Sequence, residues 1–315
     1  MKIGNYARAV LVLVFLSSPV RGQIGFTETF DDDPVAAGRF TVSGDASRFV
    51  HAPGSMTASY DTIVPTAMLK RPLGVTLAAG TGFEFEVDLV IHSAGFYADP
   101  NAFAQIAFGL INSQATGNDR VGGVSGDAFE IITVDYFPNE SFLYGGPSLG
   151  PTMILAADGG NFFDAVQFDF GAETDMTFEG PLPTDTLLTF RLVSTFDAVA
   201  GTQTLTLRVS DVGGPLLINS EGAGAAFGGL DGDPTTIQTV VDDPTAEVDT
   251  FSILLWEDTF ASGASTLVAD VRFDEIRFEA SVATVPAASD FAVVMLVLLI
   301  VVTGSGCVVR CRGLG

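Results

Sequence analysis

Two apolar runs, one at each end of the chain, constrain most strongly what the 315-residue sequence can fold into. The C-terminal run extends from Phe291 to Val309 without a formal charge and is followed by Arg310 and Arg312. A helix of that length spans about 28 Å, close to the roughly 30 Å hydrocarbon core of a bilayer. We therefore predict a transmembrane helix over residues 291–309, with the C-terminus in the cytoplasm.

The N-terminal run indicates a secretory signal peptide. Lys2 and Arg8 precede a short apolar core, and small residues follow it. The apolar core is too short to span a bilayer, so an uncleaved anchor is the less favoured alternative. We assign residues 1–23 to the signal peptide, with cleavage between residues 18 and 24. Residues 24–284 then form an exported domain.

The C-terminal segment, residues 285–315, resembles the exosortase-type (PEP-CTERM-like) sorting signals of bacterial envelope proteins. Those signals place a short Val-Pro-Glu-Pro-like motif before a membrane helix and a basic tail. Here Val285-Pro286-Ala287-Ala288-Ser289 stands at the motif, with the Glu and the second Pro replaced. The resemblance implies a cell-envelope protein that is anchored in the membrane at least transiently and is processed by a sorting protease. An ordinary membrane anchor is the alternative.

Charge and cysteine content exclude several classes of function. Five of the 14 basic residues and one of the 38 acidic residues lie in the two ends, so the exported part carries nine basic and 37 acidic residues, a net charge near −28. That charge repels phosphate backbones, which argues against nucleic acid as a partner, and it suits divalent cations. Both cysteines, Cys307 and Cys311, lie at the membrane end, so the exported domain has neither a disulfide nor a catalytic thiol.

The exported domain is predicted to be all-β, because apolar residues alternate with polar ones in many short stretches bounded by Gly and Pro. Strands are expected at Phe83–Leu89, Leu187–Val193, Thr204–Val209, Phe251–Trp256 and Val268–Phe278, the second and third forming a hairpin across a turn at Ala198–Gly201. The Gly- and Asp-rich stretch Ser220–Pro244 is expected to be a long loop. Many strands without interleaved helices favour a β-sandwich.

The two ends of this domain carry acidic strand-like segments, Thr27–Asp33 and Asp270–Phe278. This pattern resembles the concanavalin A-like jelly rolls of lectins, laminin-G-like modules and related glucanases. The resemblance implies that the first and last strands pair and that acidic residues near them hold a structural calcium ion.

Two groups of residues are candidate Ca²⁺ ligands. The first is Asp31, Asp32 and Asp33, helped by Glu28 or Asp270; calcium takes six to eight oxygens, so three adjacent acids need further ligands. A solvated acidic turn is the alternative.

The second candidate comprises Asp135 and Asn139 within Asp135-Tyr136-Phe137-Pro138-Asn139. This segment looks like the Asp-x-aromatic-x-Asn segment of legume-type lectins, in which the Asp and Asn ligate calcium beside the sugar. Thr133 stands where those lectins carry a Glu. A strand that runs into a proline-stabilised turn is the alternative.

A third acidic group, Glu84, Glu86 and Asp88, lies on one face of a predicted strand. Jelly-roll glucanases carry a Glu-x-Asp-x-x-Glu pattern, and here Ile91 stands in place of the final Glu. We therefore expect no enzymatic activity. The prediction is a non-catalytic surface protein that binds extracellular glycan or matrix, with a jelly-roll glycoside hydrolase and a purely structural surface component as alternatives.

Overall fold

The structure is a computed structural model that describes residues 21–61, 66–92, 106–114, 130–137, 148–154, 168–169, 182–218, 233–242, 244–255 and 268–283. The predicted transmembrane helix and sorting segment lie outside these residues. Within the part that the structure describes, no helix has both the length and the apolar character needed to cross a bilayer.

The described chain forms sixteen strands and one short 3₁₀ helix, Ala46–Arg48. The strands are β1 (Arg21–Glu28), β2 (Thr41–Ser43), β3 (Phe49–Ala52), β4 (Ser55–Asp61), β5 (Ala67–Leu77), β6 (Phe83–His92), β7 (Ile106–Ile111), β8 (Ile131–Phe137), β9 (Ser148–Ile154), β10 (Phe168–Asp169), β11 (Leu187–Asp197), β12 (Thr202–Asp211), β13 (Gly214–Pro215), β14 (Thr236–Asp242), β15 (Val248–Leu255) and β16 (Val268–Ala283).

These strands form two sheets. The nine-stranded sheet has the order β13-β12-β11-β6-β16-β4-β3, with β1 also paired to β16 and β14 also paired to β12. The seven-stranded sheet has the order β10-β9-β8-β7-β15-β5-β2. The first and last strands that the structure describes therefore pair, as the resemblance implied, and the all-β prediction is confirmed.

Phenylalanine rings fill the space between the two sheets. Phe108 of the seven-stranded sheet makes edge-on contacts with Phe190, Phe273 and Phe85 of the nine-stranded sheet, at ring-centroid distances of 5.4, 6.0 and 6.4 Å. All four rings are fully buried. Edge-to-face pairs are a favoured packing of aromatic rings, so this cluster shows the inward face of the four strands that carry it and confirms the predicted sandwich.

The predicted hairpin is confirmed, since β11 pairs antiparallel with β12 from Thr189 opposite Ser210 to Asp197 opposite Thr202. The predicted loop over Ser220–Pro244 is wrong in its later half, where β14 pairs with β12. The β-branched run within β14 buries Ile237, Thr239 and Val241 on one face. That alternation outweighs the turn-forming residues on either side of it.

Candidate functional site

A row of small and polar side chains crosses the outer face of the seven-stranded sheet. Because Phe108 points inward, its neighbours on β7 point outward. The strand registers align one residue from each of six strands, in the order Thr41, Lys70, Ser252, Gly109, Thr133 and Thr152. We call this set the hydroxyl row, since four of its members carry a hydroxyl group.

Glycine is required at the centre of the hydroxyl row. Gly109 has φ +147°, and a Cβ atom there would lie 2.5 Å from the Ile132 carbonyl oxygen and 2.8 Å from Thr133 Cα. Both of these neighbours are backbone atoms of β8, which cannot move aside without disturbing the sheet. The close approach of β7 and β8 therefore depends on this glycine.

The hydroxyl row is buried at one end and open at the other. Ser252, Thr133 and Thr152 are fully buried, whereas Lys70 is half-buried and Thr41 is exposed. At the open end lies a groove of about 490 Å³. Its lining is mostly polar and consists of Thr41, Lys70, Pro72, Gly74, Val75, Thr76, Ser113, Gln114, Asp249 and Thr250.

Hydrogen bonds hold one wall of this groove in place. Ser113 donates from its amide N and its Oγ to the two carboxylate oxygens of Asp249, at 2.9 and 2.8 Å. The Gln114 amide donates to Asn112 Oδ1 at 3.0 Å, and Asn112 Nδ2 donates to Glu130 Oε2 at 2.7 Å. The polar groups of this wall are thus fixed before any ligand arrives, which lowers the entropic cost of binding.

Asp135 also lies on this outer face, opposite Ala107 on one side and Gly150 on the other. It is fully buried, and Thr133 Oγ1 donates to its Oδ2 at 3.3 Å. Burial raises the pKa of the Tyr60 phenol.

Asn139, the other predicted ligand of the second calcium site, lies outside the described residues. Calcium takes six to eight oxygens, and among the described residues Asp135 belongs to no group of three His, Cys, Asp or Glu side chains that could hold an ion. A complete ion site there needs further ligands, so calcium binding at Asp135 and Asn139 stays a prediction.

The three consecutive acids after β1 have separate partners. Asp31 Oδ2 accepts a hydrogen bond from Thr29 Oγ1 at 2.8 Å, and Asp32 Oδ1 lies 2.6 Å from Arg39 Nη2. Asp33 accepts from two backbone amides of the following turn, at 2.9 and 3.2 Å. The hydrogen bond from Arg39 lowers the pKa of Asp32.

Asp270 is not brought together with these three acids. Its Oδ1 accepts a hydrogen bond from the Ser59 hydroxyl, opposite which it sits in the β4–β16 register. The acids after β1 instead lie at the far end of β4, where the Gly54 amide donates to the Phe30 carbonyl at 2.9 Å. Ser59 and Gly54 are five residues apart, about 16 Å along an extended strand.

Glu28, proposed to help bind calcium, is bound by two arginines instead. Its Oε2 lies 2.8 Å from Arg39 Nε and 2.8 Å from Arg71 Nη1. Across the described residues, no group of three or more His, Cys, Asp or Glu side chains is arranged to hold a metal ion.

The acids on the polar face of β6 are paired with two arginines from neighbouring strands. Arg191 on β11 contacts Glu84 through two hydrogen bonds of 2.7 and 2.8 Å. Arg277 on β16 contacts Glu86 at 2.6 Å and Asp88 at 3.0 Å. The hydrogen bond to Glu84 raises the pKa of Arg191. These two arginines were not predicted as partners of the β6 acids. The sequence feature that could have identified them is their position on the polar face of strands that were predicted from alternation.

Comparison with known proteins finds likeness only at the level of structure. No protein-family model matches the chain, and no curated protein matches its sequence.

Peanut lectin solved with a nine-residue peptide is 12% identical, with 84% of this chain and all of that chain covered and a TM-score of 0.47. Basic winged bean lectin with Tn-antigen is 10% identical, covering 82% and 99%, with a TM-score of 0.48. The Emp47p carbohydrate recognition domain is 11% identical, covering 78% and 89%, with a TM-score of 0.42. The chain is similar to these lectins in its β-sandwich arrangement, and at this identity and degree of superposition the likeness does not extend to any ligand.

Proposed function

We propose that this chain is a non-catalytic cell-surface protein whose exported β-sandwich binds glycans in the groove at the open end of the hydroxyl row. The groove itself carries this proposal. Its volume of about 490 Å³ falls within the roughly 300–1,000 Å³ of small-molecule sites. Its hydroxyl, amide, ammonium and carboxylate groups can donate to and accept from the hydroxyls of a sugar.

The apolar part of the lining suits the same ligand. Pro72 and Val75 provide carbon surface beside the polar groups, and Val75 is 36% exposed. Sugars present C–H faces as well as hydroxyls, so a mixed lining contacts both.

The absence of catalysis is part of the proposal and is supported by the ion pairs on β6. Glycosidases need one carboxyl group with a raised pKa to act as the acid. Glu84 and Glu86 are instead held in ion pairs by Arg191 and Arg277, at 2.7 and 2.6 Å, so these arginines occupy the carboxylates that a glycosidic bond would need to reach. The paired acids therefore serve the nine-stranded sheet rather than a reaction.

The cellular setting is proposed from the two ends of the sequence. A signal peptide over residues 1–23 exports the domain, and the PEP-CTERM-like segment 285–315 holds it at the membrane until a sorting protease acts. Protease added to intact spheroplasts should degrade residues 24–284. Full protection of the domain would place it inside the cell and end the proposal of a surface role.

A structural Ca²⁺ ion near Asp135 completes the proposal. Asp135 is fully buried on the same outer face as the groove, one residue row away from the hydroxyl row. A buried carboxylate is stabilised by a cation, and Asn139 follows it closely in the sequence.

A glycan array probed with the full chain in detergent tests the binding role. Thr76→Trp fills the groove from an exposed position, and Thr195→Trp is the matched control at an exposed position on the nine-stranded sheet. Binding by the wild type and the control, lost in Thr76→Trp, is the expected result. No binding to any glycan would favour the purely structural alternative.

A further inference from the structure

We propose that the groove selects an acidic glycan, one that carries a single carboxylate sugar such as a uronic acid among neutral sugars, and that Lys70 binds the carboxylate. This inference rests on the proposed glycan-binding function and names its ligand class.

Lys70 differs from the other basic side chains that the structure describes. Each described arginine side chain contacts a carboxylate or a backbone carbonyl; these are Arg39, Arg48, Arg71, Arg191, Arg208, Arg272 and Arg277. Lys70 has no carboxylate or carbonyl partner within the described residues, although the chain carries a net charge of −24. Its ammonium group is available to an anion from outside.

The surroundings of Lys70 suit a carboxylate ligand. In register it lies between Thr41 on β2 and Ser252 on β15, and the groove also holds Thr250 beside it. A carboxylate at the ammonium forms a charge-assisted hydrogen bond, about twice as strong as a neutral one. The half-buried position of Lys70 reduces screening of that contact by water and salt.

The same groove limits how much negative charge the ligand carries. Asp249 lines it and is held by Ser113, so the described charged groups of the lining, Lys70 and Asp249, cancel. The net charge of the whole chain repels polyanions. One carboxylate at Lys70, with sugar hydroxyls donating to Asp249, matches this pair of charges, whereas a densely sulfated chain does not.

Calorimetric titration of the full chain in detergent tests this inference. The probes are a neutral oligosaccharide bearing one glucuronic acid, the methyl ester of the same compound, and a heparin oligosaccharide. We expect the acid to bind about tenfold more tightly than its ester. Lys70→Met should bind the acid no better than the ester, Lys70→Arg should keep part of the preference, and Thr76→Trp should bind neither.

A spectroscopic readout keeps the test independent of variant folding. Lys70 is the one lysine besides Lys2, so reductive methylation with carbon-13 places a reporter on its nitrogen and retains the charge. The acid should shift the Lys70 signal more than the ester does. Equal binding of acid and ester, or tightest binding of heparin, overturns the acidic-ligand inference while leaving glycan binding intact. No binding of any sugar, here or on the array, overturns the proposed function itself.

Discussion

Arg71 on β5 binds Glu28 on β1 at 2.8 Å and thereby joins the two sheets through a partly buried ion pair. Glu28 is only 3% exposed and also receives Arg39 at 2.8 Å, and its Oε1 accepts from the Phe30 amide at 3.1 Å. The Arg71 guanidinium lies 4.0 Å from the centre of the Phe26 ring. Because β1 belongs to the nine-stranded sheet and β5 to the other, this contact holds the first strand against the opposite layer.

We expect Glu28→Gln to destabilise the fold by about 3–5 kcal/mol, because it removes the carboxylate that Arg71 contacts and leaves Arg39 paired with Asp32 alone. Urea unfolding followed by fluorescence measures the change. Glu279→Gln is the control, since Glu279 is exposed and accepts a hydrogen bond from the exposed Gln23 side chain at 2.8 Å. Its cost should stay within about 0.5 kcal/mol. Similar losses in both variants would show that Glu28 is not a structural anchor.

The second prediction compares two glycines to separate the cost of backbone strain from the cost of steric overlap. Gly54→Ala should cost about 1–2 kcal/mol, because φ is +84° there and nothing lies within 4 Å of the new Cβ. Gly109→Ala should cost about 1–3 kcal/mol more, since its Cβ meets the backbone of β8. Thermal unfolding compares the two variants. An equal loss would mean that β7 and β8 can separate at no cost.

Acid sensitivity should arise in part from Asp197 in the β11–β12 turn. Hydrogen bonds from the Ala200 and Val199 amides lower its pKa below 3.8 in the folded chain. At a pH between the folded and unfolded pKa values, the unfolded chain binds more protons than the folded chain does. The contribution of Asp197 to the free energy of unfolding is therefore complete above about pH 4 and is lost as the pH falls through the folded pKa. Urea midpoints measured from pH 6 to pH 2.5 should fall less steeply in Asp197→Asn. An unchanged slope would contradict a role for this carboxylate.

Calcium should raise the melting temperature of the chain, and EDTA should lower it. An ion that binds only the folded state adds about 2.7 kcal/mol at one hundred times its dissociation constant. We expect Asp135→Asn to lose the effect and Asp31→Asn to keep it, because the acids after β1 already have protein partners. Magnesium is the control ion. Equal shifts with both ions would indicate charge screening and not a site.

No reducing sugar should be released from β-glucans, galactans or the envelope polysaccharide of the cell, because the acids of β6 are bound by arginines. A reducing-end assay with a known glucanase as the positive control measures this. Turnover by the wild type that disappears in both Glu84→Gln and Glu86→Gln would favour the glycoside hydrolase alternative.

Alternation within single strands was readable from the sequence, and pairing between distant strands was not. The β11–β12 hairpin follows from local pattern and a four-residue turn, because its partners are close along the chain. The groove brings together Lys70 on β5, Asp249 on β15 and Ser113 in the turn after β7, and these elements become neighbours only through the β5–β15–β7 order. Periodicity predicts which residues of a strand face the core, but it does not specify which strands lie beside it. Neither this groove nor the pairing of Arg191 with Glu84 was therefore predictable.

The position of β16 has a consequence for the order in which the protein is made. It is the last described strand along the chain, yet it pairs with β6, β4 and β1 and joins the two halves of the nine-stranded sheet. A chain synthesised from its N-terminus therefore holds its earlier strands with open edges until β16 emerges. Products truncated before Val268 keep those edges unpaired, and unpaired edges expose them to aggregation or degradation. Only chains whose translation has passed β16 can therefore complete the nine-stranded sheet.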